Sequence, residues 1–365
     1  MMRSMPTRTT WKSPLHQMTQ TTATRLWNDS ADVDELRYAL EHGAVGATCN
    51  PVIAHTVLTN RLAEWRPRIE ALAVEHPTAT EDEVGWRAVQ ELSTQAAALL
   101  LPVFHEHNGR DGRLSIQTDP RLYRDAAAIV RQALHFDGLA PNMLVKIPAT
   151  GAGIVAIEEA TAAGISINAT VCFTLPQAVA VAEAVERGLT RRVRDGGDVS
   201  AMGPVCTIMV GRLDDWLKLI MEKEGISTDP GHLEWAGVAV FKKTYQLFRQ
   251  RGYRIRLLSA AFRNHMHWSE FIGGDAVVSP PSSWQKRIVA SDIPVQPRID
   301  VPVPPHIVAD LHRRFADFRR ASEEGGLAPA EFEAFAPTRR TLRQFLAAGA
   351  DLSRLVRDVM LPNPD

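Results

Sequence analysis

The residue that says most about chemistry is Lys146. The segment from Asn142 to Gly153 sets it in an apolar strand, between Val145 and Ile147, and follows it with Pro148 and a Gly151-x-Gly153 turn. A lysine amine in water titrates near roughly 10.4, so at neutral pH it is protonated and not a nucleophile. Burial among apolar side chains disfavours the ammonium and frees the amine to attack a carbonyl carbon. The chemistry this position could do is Schiff-base formation. A lone lysine in a strand also has a plainer reading, in which it faces solvent or snorkels to a rim. Gly151-x-Gly153 lacks the spacing of a dinucleotide or P-loop motif and reads as a tight turn into a helix.

Other residue types could serve a carbonyl reaction. Asp29, which ends a strand, could move protons, although an aspartate there is often only a helix cap. Arg212 and Arg263 each fall at a strand end, where a planar guanidinium suits phosphate oxygens; a surface ion pair is the ordinary alternative. Metal ligation is weighed on His105-x-His107 and His265-x-His267, but matching carboxylate spacing is missing and no metal is expected. Cys49, Cys172 and Cys206 are odd in number and without metal-ligand spacing, which points to a reduced, cytoplasmic setting.

These residues need a frame. The chain has 365 residues, is 45% apolar and carries a net charge of about −1, with Lys and Arg spread along it. That suffices for a sizeable core and gives no electrostatic case for nucleic acid or a membrane surface. The N-terminus has no apolar h-region, and the longest apolar run near it, Ala96 to Phe104, is too short to span a bilayer. Strand-like runs recur at Thr24–Trp27, Val45–Cys49, Arg113–Gln117, Met143–Ile147, Ile165–Thr170, Val205–Val210, Arg254–Ala260 and Ala276–Val278. Helical patterns such as Ile154–Ala163, Pro176–Arg187 and Leu233–Arg251 lie between them. Eight such units predict a closed (β/α)₈ barrel of the α/β class; an open doubly wound sheet is the rival.

A long helical insert follows the second strand. Thr80 and Glu83 make a capping box there, opening a helix through Val84, Val89, Leu92 and Leu99. After a proline cluster near Val301, two helices are expected, about 307–321 and 338–360. The whole chain reads as one domain, with the barrel over about 23–300 and the C-terminal helices over about 301–365. The run Arg191 to Arg194 reads as a solvated helix end.

With these motifs in order, the chain resembles the transaldolase family from about Arg25 to Trp284. Gly46 to Pro51 looks like its first signature and Leu144 to Gly153 like the second, which carries the Schiff-base lysine. Ser115 to Arg121, Asn168 to Thr170, Val210 to Arg212 and Phe262 to Asn264 fall in the family's order. The resemblance implies that Lys146 forms the imine with a ketose phosphate and that Asp29 is the general acid/base. It implies that Asn50, Asn168 and Thr207 bind the sugar, that Thr170 holds a water, and that Arg212 and Arg263 bind phosphate. No metal or organic cofactor is called for, since the imine does the polarising. Sugar phosphates are the expected partners, with no nucleic acid and no membrane, in a monomer or homodimer.

Three positions depart from the pattern. Gln117 replaces the family's glutamate, and an amide can hydrogen-bond but cannot shuttle protons. The fructose-6-phosphate aldolases share that glutamine. Met209 stands where transaldolases have an aromatic residue and those aldolases a tyrosine, and Ala261 replaces a phosphate-binding serine. The expected activity is therefore transfer of a dihydroxyacetone unit. The alternatives are a lyase releasing dihydroxyacetone, a silent sugar-phosphate-binding barrel, and a specialised route to an unusual aldehyde.

Overall fold

A computed structural model describes residues 11–364; the first ten residues, to which part of the reading against a leader peptide applies, lie outside this range. Eight parallel strands close into a barrel in chain order. They are β1 (Arg25–Asn28), β2 (Ala44–Cys49), β3 (Arg113–Gln117), β4 (Met143–Pro148), β5 (Ile167–Cys172), β6 (Val205–Ile208), β7 (Arg256–Ser259) and β8 (Val277–Val278). Closure comes from the pairing of β1 with β8. The expected closed barrel is what the chain forms, and the open-sheet rival falls.

Alternation along the strands sorts the barrel interior into layers. Trp27, Leu144, Val205, Leu258, Ala260 and Val277 form an apolar cluster of their own, separate from the core around the barrel. Two places further on from Trp27, Leu144 and Val205 stand Asp29, just past the end of β1, Lys146 in β4 and Thr207 in β6. An apolar plug thus sits under a polar layer at the C-terminal ends of the strands. Gly46 makes the plug possible, because a Cβ there would lie 2.4 Å from the Trp27 ring.

Several boundaries differ from the sequence reading. β6 stops at Ile208, because Val210 already opens the helix Val210–Glu224. β5 runs on to Cys172, with a register shift against β6 between Ala169 and Cys172 and Val171 at φ +53°. The insert is three helices, Pro51–Asn60, Leu62–Glu75 and Glu81–Glu106, the last with the expected Thr80/Glu83 capping box. Arg191 to Arg194 is the last turn of Leu175–Arg194, where Arg191 pairs with Glu158 and Glu159. The helix expected over 307–321 is broken in two, Pro305–Arg314 and Ala316–Ser322, by extended backbone at Phe315, whose ring is buried.

The C-terminal helix, Ala336–Met360, lies against the insert helices. Its apolar face buries Leu342, Phe345, Leu352, Val356 and Val359, and its polar edge places Arg357 on Glu81 and Ser353 on Asp82. Thr338, in its first turn, meets the Gln177 amide at 3.4 Å. Among the described residues no helix is long and apolar enough to cross a membrane.

Candidate active site

Lys146 is 4% exposed, and its Nζ donates a 3.0 Å hydrogen bond to Thr48 Oγ1. β2 and β4 are not neighbours in the sheet, so this bond crosses the barrel interior. The amine does not face solvent. It makes no ion pair with any described residue, and its partner is a neutral hydroxyl. Burial lowers its pKa from the ordinary lysine value, with the charge of Asp29 opposing the shift.

Asp29 stands one residue past β1. Its carboxylate has no hydrogen bond or ion pair among the described residues. Burial raises its pKa, and the charges of Lys146 and Arg212 oppose the rise. The cap of the following helix is Asp32, which accepts from the backbone N–H groups of Asp34 and Glu35, so Asp29 is not spent on capping. Asn50, by contrast, is a cap: its Oδ1 accepts from the Ile53 N–H at 3.0 Å and fixes the start of Pro51–Asn60. Its amide nitrogen donates to no described residue.

The neighbouring strands complete the layer. Gln117 and Asn168 are the register partners of Lys146 in β3 and β5. Asn168 donates to Ser115 Oγ at 3.0 Å and accepts from Thr207 Oγ1 at 2.7 Å, which fixes the orientation of its amide. Gln117 Oε1 and Thr170 Oγ1 are buried without a partner. Unpaired buried polar atoms are costly and concentrate where a ligand or water completes them. Thr170 lies within the irregular stretch of β5, the kind of bulge that re-aims a side chain at a barrel mouth.

Arg212 and Arg263 come together at the ends of β6 and β7. Gly211 allows this: a Cβ there would lie 2.0 Å from the carbonyl oxygen of Ala261. Arg212 is half-buried, its Nε is buried without a partner, and it makes no ion pair among the described residues. Burial lowers its pKa, and the charge of Arg263 pushes the same way. Arg263 instead lies in a fork with Asp215, its Nη2 2.7 Å from Oδ2, so the surface-pair reading holds for Arg263 and fails for Arg212. Ala261 sits between them at φ +64°, a left-handed conformation costly for a residue with a Cβ.

Sequence reasoning missed several supports. Thr48 holds the lysine and Ser115 holds Asn168. The Arg263 N–H donates to His267 Nδ1 at 3.0 Å, which leaves the ring proton on Nε2, donating to Asp214 Oδ2 at 2.8 Å. His267 is thereby occupied on both nitrogens, and His265 faces Ser269. His107 turns to Asp111. Arg340, exposed in the first turn of the C-terminal helix, lies within electrostatic reach of Arg212. Only the run Asp214-Asp215, two residues after Arg212, was a visible signal for any of these.

Comparison with known proteins places the chain in a family. Residues 26–297 match the family model described as Transaldolase/Fructose-6-phosphate aldolase. The chain is 33% identical over 208 residues to the transaldolase of Kocuria rhizophila, covering 56% of each chain. It is 32% identical over 232 residues to that of Thiobacillus denitrificans, 61% of this chain and 64% of the relative. It is 34% identical over 213 residues to that of Thermobifida fusca, 55% and 56%. The matched part thus spans less than two thirds of each of these relatives. With three quarters of its length under one family model and a lysine buried in the polar layer of a closed eight-stranded barrel, the chain belongs to the transaldolase/fructose-6-phosphate aldolase family.

Proposed function

We propose that the protein is an enzyme that transfers a dihydroxyacetone unit from a ketose phosphate to an aldehyde through an imine on Lys146. The observation that carries this reading is the lysine's environment: a buried amine bonded to a hydroxyl rather than a carboxylate. A carboxylate in contact would hold the proton on; a hydroxyl leaves it free to go.

The neutral amine of Lys146 adds to the donor's ketone, and loss of water gives an iminium. This cation draws electrons from the bond between C3 and C4. Asp29, with its carboxylate uncommitted, takes the proton from the C4 hydroxyl, the bond breaks, and the aldehyde leaves. The three-carbon enamine stays on Lys146, attacks the incoming aldehyde, and the new hydroxyl takes the proton back from Asp29. Water then releases the product and restores the amine. Asn168, fixed by Ser115 and Thr207, and Asn50, through its free amide nitrogen, hold the sugar hydroxyls; Arg212 takes the phosphate, with Arg263 beside it. Thr170 and Gln117 offer a water the two unpaired oxygens noted above.

Gln117 favours one second reading, a lyase in which water rather than an aldehyde takes the three-carbon unit. Borohydride added with fructose 6-phosphate should fix a dihydroxyacetone adduct on the Lys146 peptide, read by mass mapping; its absence removes the imine mechanism. With fructose 6-phosphate alone, glyceraldehyde 3-phosphate limited to one equivalent per enzyme supports transfer, and a steady excess supports the lyase.

A further inference from the structure

Asp214 and His267 are both 0% exposed, and the imine chemistry uses neither. An aspartate is almost never buried so fully unless its oxygens are bonded. Here Oδ1 accepts from the Gly237 N–H at 2.8 Å and Oδ2 accepts from His267 Nε2 at 2.8 Å. His267 Nδ1 accepts in turn from the Arg263 N–H at 3.0 Å. The carbonyl oxygen of His267 accepts from Ser259, the last residue of β7, at 3.0 Å. Asp214 lies on the helix Val210–Glu224, two residues after Arg212, and Gly237 lies in the first turn of Ala236–Arg251. One line of bonds therefore joins the two segments that carry the arginines.

The direction of each bond is fixed. A backbone N–H can only donate, so Gly237 and Arg263 make acceptors of Asp214 Oδ1 and His267 Nδ1. The imidazole proton must then sit on Nε2 and face Asp214. Asn264 Nδ2, 3.5 Å from Nε2, is committed to Glu234 at 2.6 Å. What the ring holds is backbone. The Arg263 guanidinium is already bonded to Asp215, and Ala261 stands at φ +64°. The N–H groups of Ala261 and Phe262 donate to no described residue. The Ala261 carbonyl and the Arg263 stem close on Gly211, where a Cβ would lie 2.0 Å and 2.7 Å from them.

We propose that Asp214 and His267 are positioning residues for the phosphate end of the site. Asp214 selects the imidazole tautomer, and that tautomer holds residues 260–264 where Arg263 and the unbonded N–H groups complete the phosphate site at Arg212. The inference rests on the reading that a phosphorylated donor binds at Arg212. Neither residue touches a reacting atom, so the pair governs the phosphate end and leaves the imine end alone.

Asp214→Asn is the test, because it keeps size and shape and removes one acceptor. Its Oδ1 must stay on the Gly237 N–H, so its amide nitrogen faces Nε2 as a donor. The imidazole proton moves to Nδ1, where it opposes the Arg263 N–H, as when the aspartate of a catalytic triad is replaced by asparagine. Nitrogen NMR of histidine-labelled protein is expected to show the His267 proton on Nε2 in the wild type and on Nδ1 in Asp214→Asn. Loss of the signal in His267→Asn identifies it. The half-saturating fructose 6-phosphate concentration for borohydride trapping is expected to rise about tenfold in Asp214→Asn, and that for dihydroxyacetone to stay within about twofold. His267→Asn has no tautomer to choose and offers its amide oxygen to the Arg263 N–H, so in that background Asp214→Asn should have little further effect. A proton that stays on Nε2, equal losses for both donors, or an undiminished effect in the His267→Asn background overturns the proposal. An Arg212→Ala variant with an unchanged fructose 6-phosphate value overturns the phosphate reading and the proposal with it. Failure of the wild type to trap either donor overturns the imine mechanism.

Discussion

Gln117 and Arg212 are the residues whose surroundings most narrow the chemistry. Gln117 is 3% exposed and leaves an oxygen unpaired next to the lysine, so it can position a water but cannot take its proton. Gln117→Glu puts a base at that point with almost no change of volume. General-base catalysis is worth on the order of 10²–10⁴-fold, and even the lower end is measurable. We expect the variant to hydrolyse the enamine faster, shown by glyceraldehyde 3-phosphate released without an acceptor, and to gain an acid limb in its pH profile where the new carboxylate protonates. An unchanged rate would mean that no water is activated from β3. Arg212 has no carboxylate to satisfy it, whereas Arg263 is already bonded to Asp215. Arg212→Ala should therefore cost more than Arg263→Ala in kcat/KM for a phosphorylated donor, by about 10–100-fold for the loss of charge-assisted bonds. Both should leave kcat/KM for dihydroxyacetone itself within a few-fold, because that substrate has no phosphate to lose.

Elements decide how such residues meet, and here the sequence was legible in part. Strand order and the lysine's strand could be read, because apolar runs bounded by turn residues repeat eight times. The break at Phe315 could not, since apolar spacing continues through it; extended backbone there buries the ring, a tertiary gain with no local sign. Nor could the site of the C-terminal helix, whose partners Glu81, Asp82 and Gln177 lie more than 150 residues away. Thr48 was hidden for the same reason: its bond to Lys146 spans the barrel, not the chain. The Gly151-x-Gly153 turn, by contrast, was read correctly as structure. Thr150 caps the helix Gly151–Ala163 through the Gly153 N–H, and a Cβ on Gly153 would stand 1.7 Å from the carbonyl oxygen of Pro148. That oxygen belongs to β4 itself, so the clash cannot be relieved without moving the strand that carries Lys146. Gly153→Ala should cost stability of more than about 3 kcal/mol, at the severe end for single substitutions, despite the alanine's better helix propensity. Chemical denaturation measures this; a midpoint at or above wild type would show that the turn can open.

At the scale of the whole molecule the two ends of the barrel do opposite work. Where the strands begin, Asp111 is 2% exposed, with Arg256 on Oδ1 at 2.8 Å and His107 and Arg25 on Oδ2. Arg25 opens β1, Arg256 opens β7 and Asp111 leads into β3, so this cluster ties three strands together. Burial alone would raise the pKa of Asp111, but the charge and hydrogen bond of Arg256, with His107 and Arg25 beside them, together outweigh it and the net shift is downward. A carboxyl depressed on folding gives stability that is present above its unfolded value, roughly 3.9, and lost as pH falls through the folded one. Asp111→Asn should thus destabilise by about 3–5 kcal/mol at neutral pH by leaving Arg256 buried and uncompensated. The loss should shrink at low pH, and kcat should not change. At the other end the sign reverses. Lys146 has its pKa lowered by burial, so the folded state disfavours the charged form. The penalty is complete below the folded pKa and disappears as pH rises towards the unfolded value of roughly 10.4. Lys146→Met removes the charge and keeps the packing. It should abolish trapping and transfer while raising the melting temperature at pH 7, and the gain should diminish on the way to pH 10. The two variants together separate a barrel end that holds the fold from one that is held by it. If Lys146→Met melts below wild type at pH 7, the amine contributes net stability where it stands, and its readiness to lose a proton fails with that result.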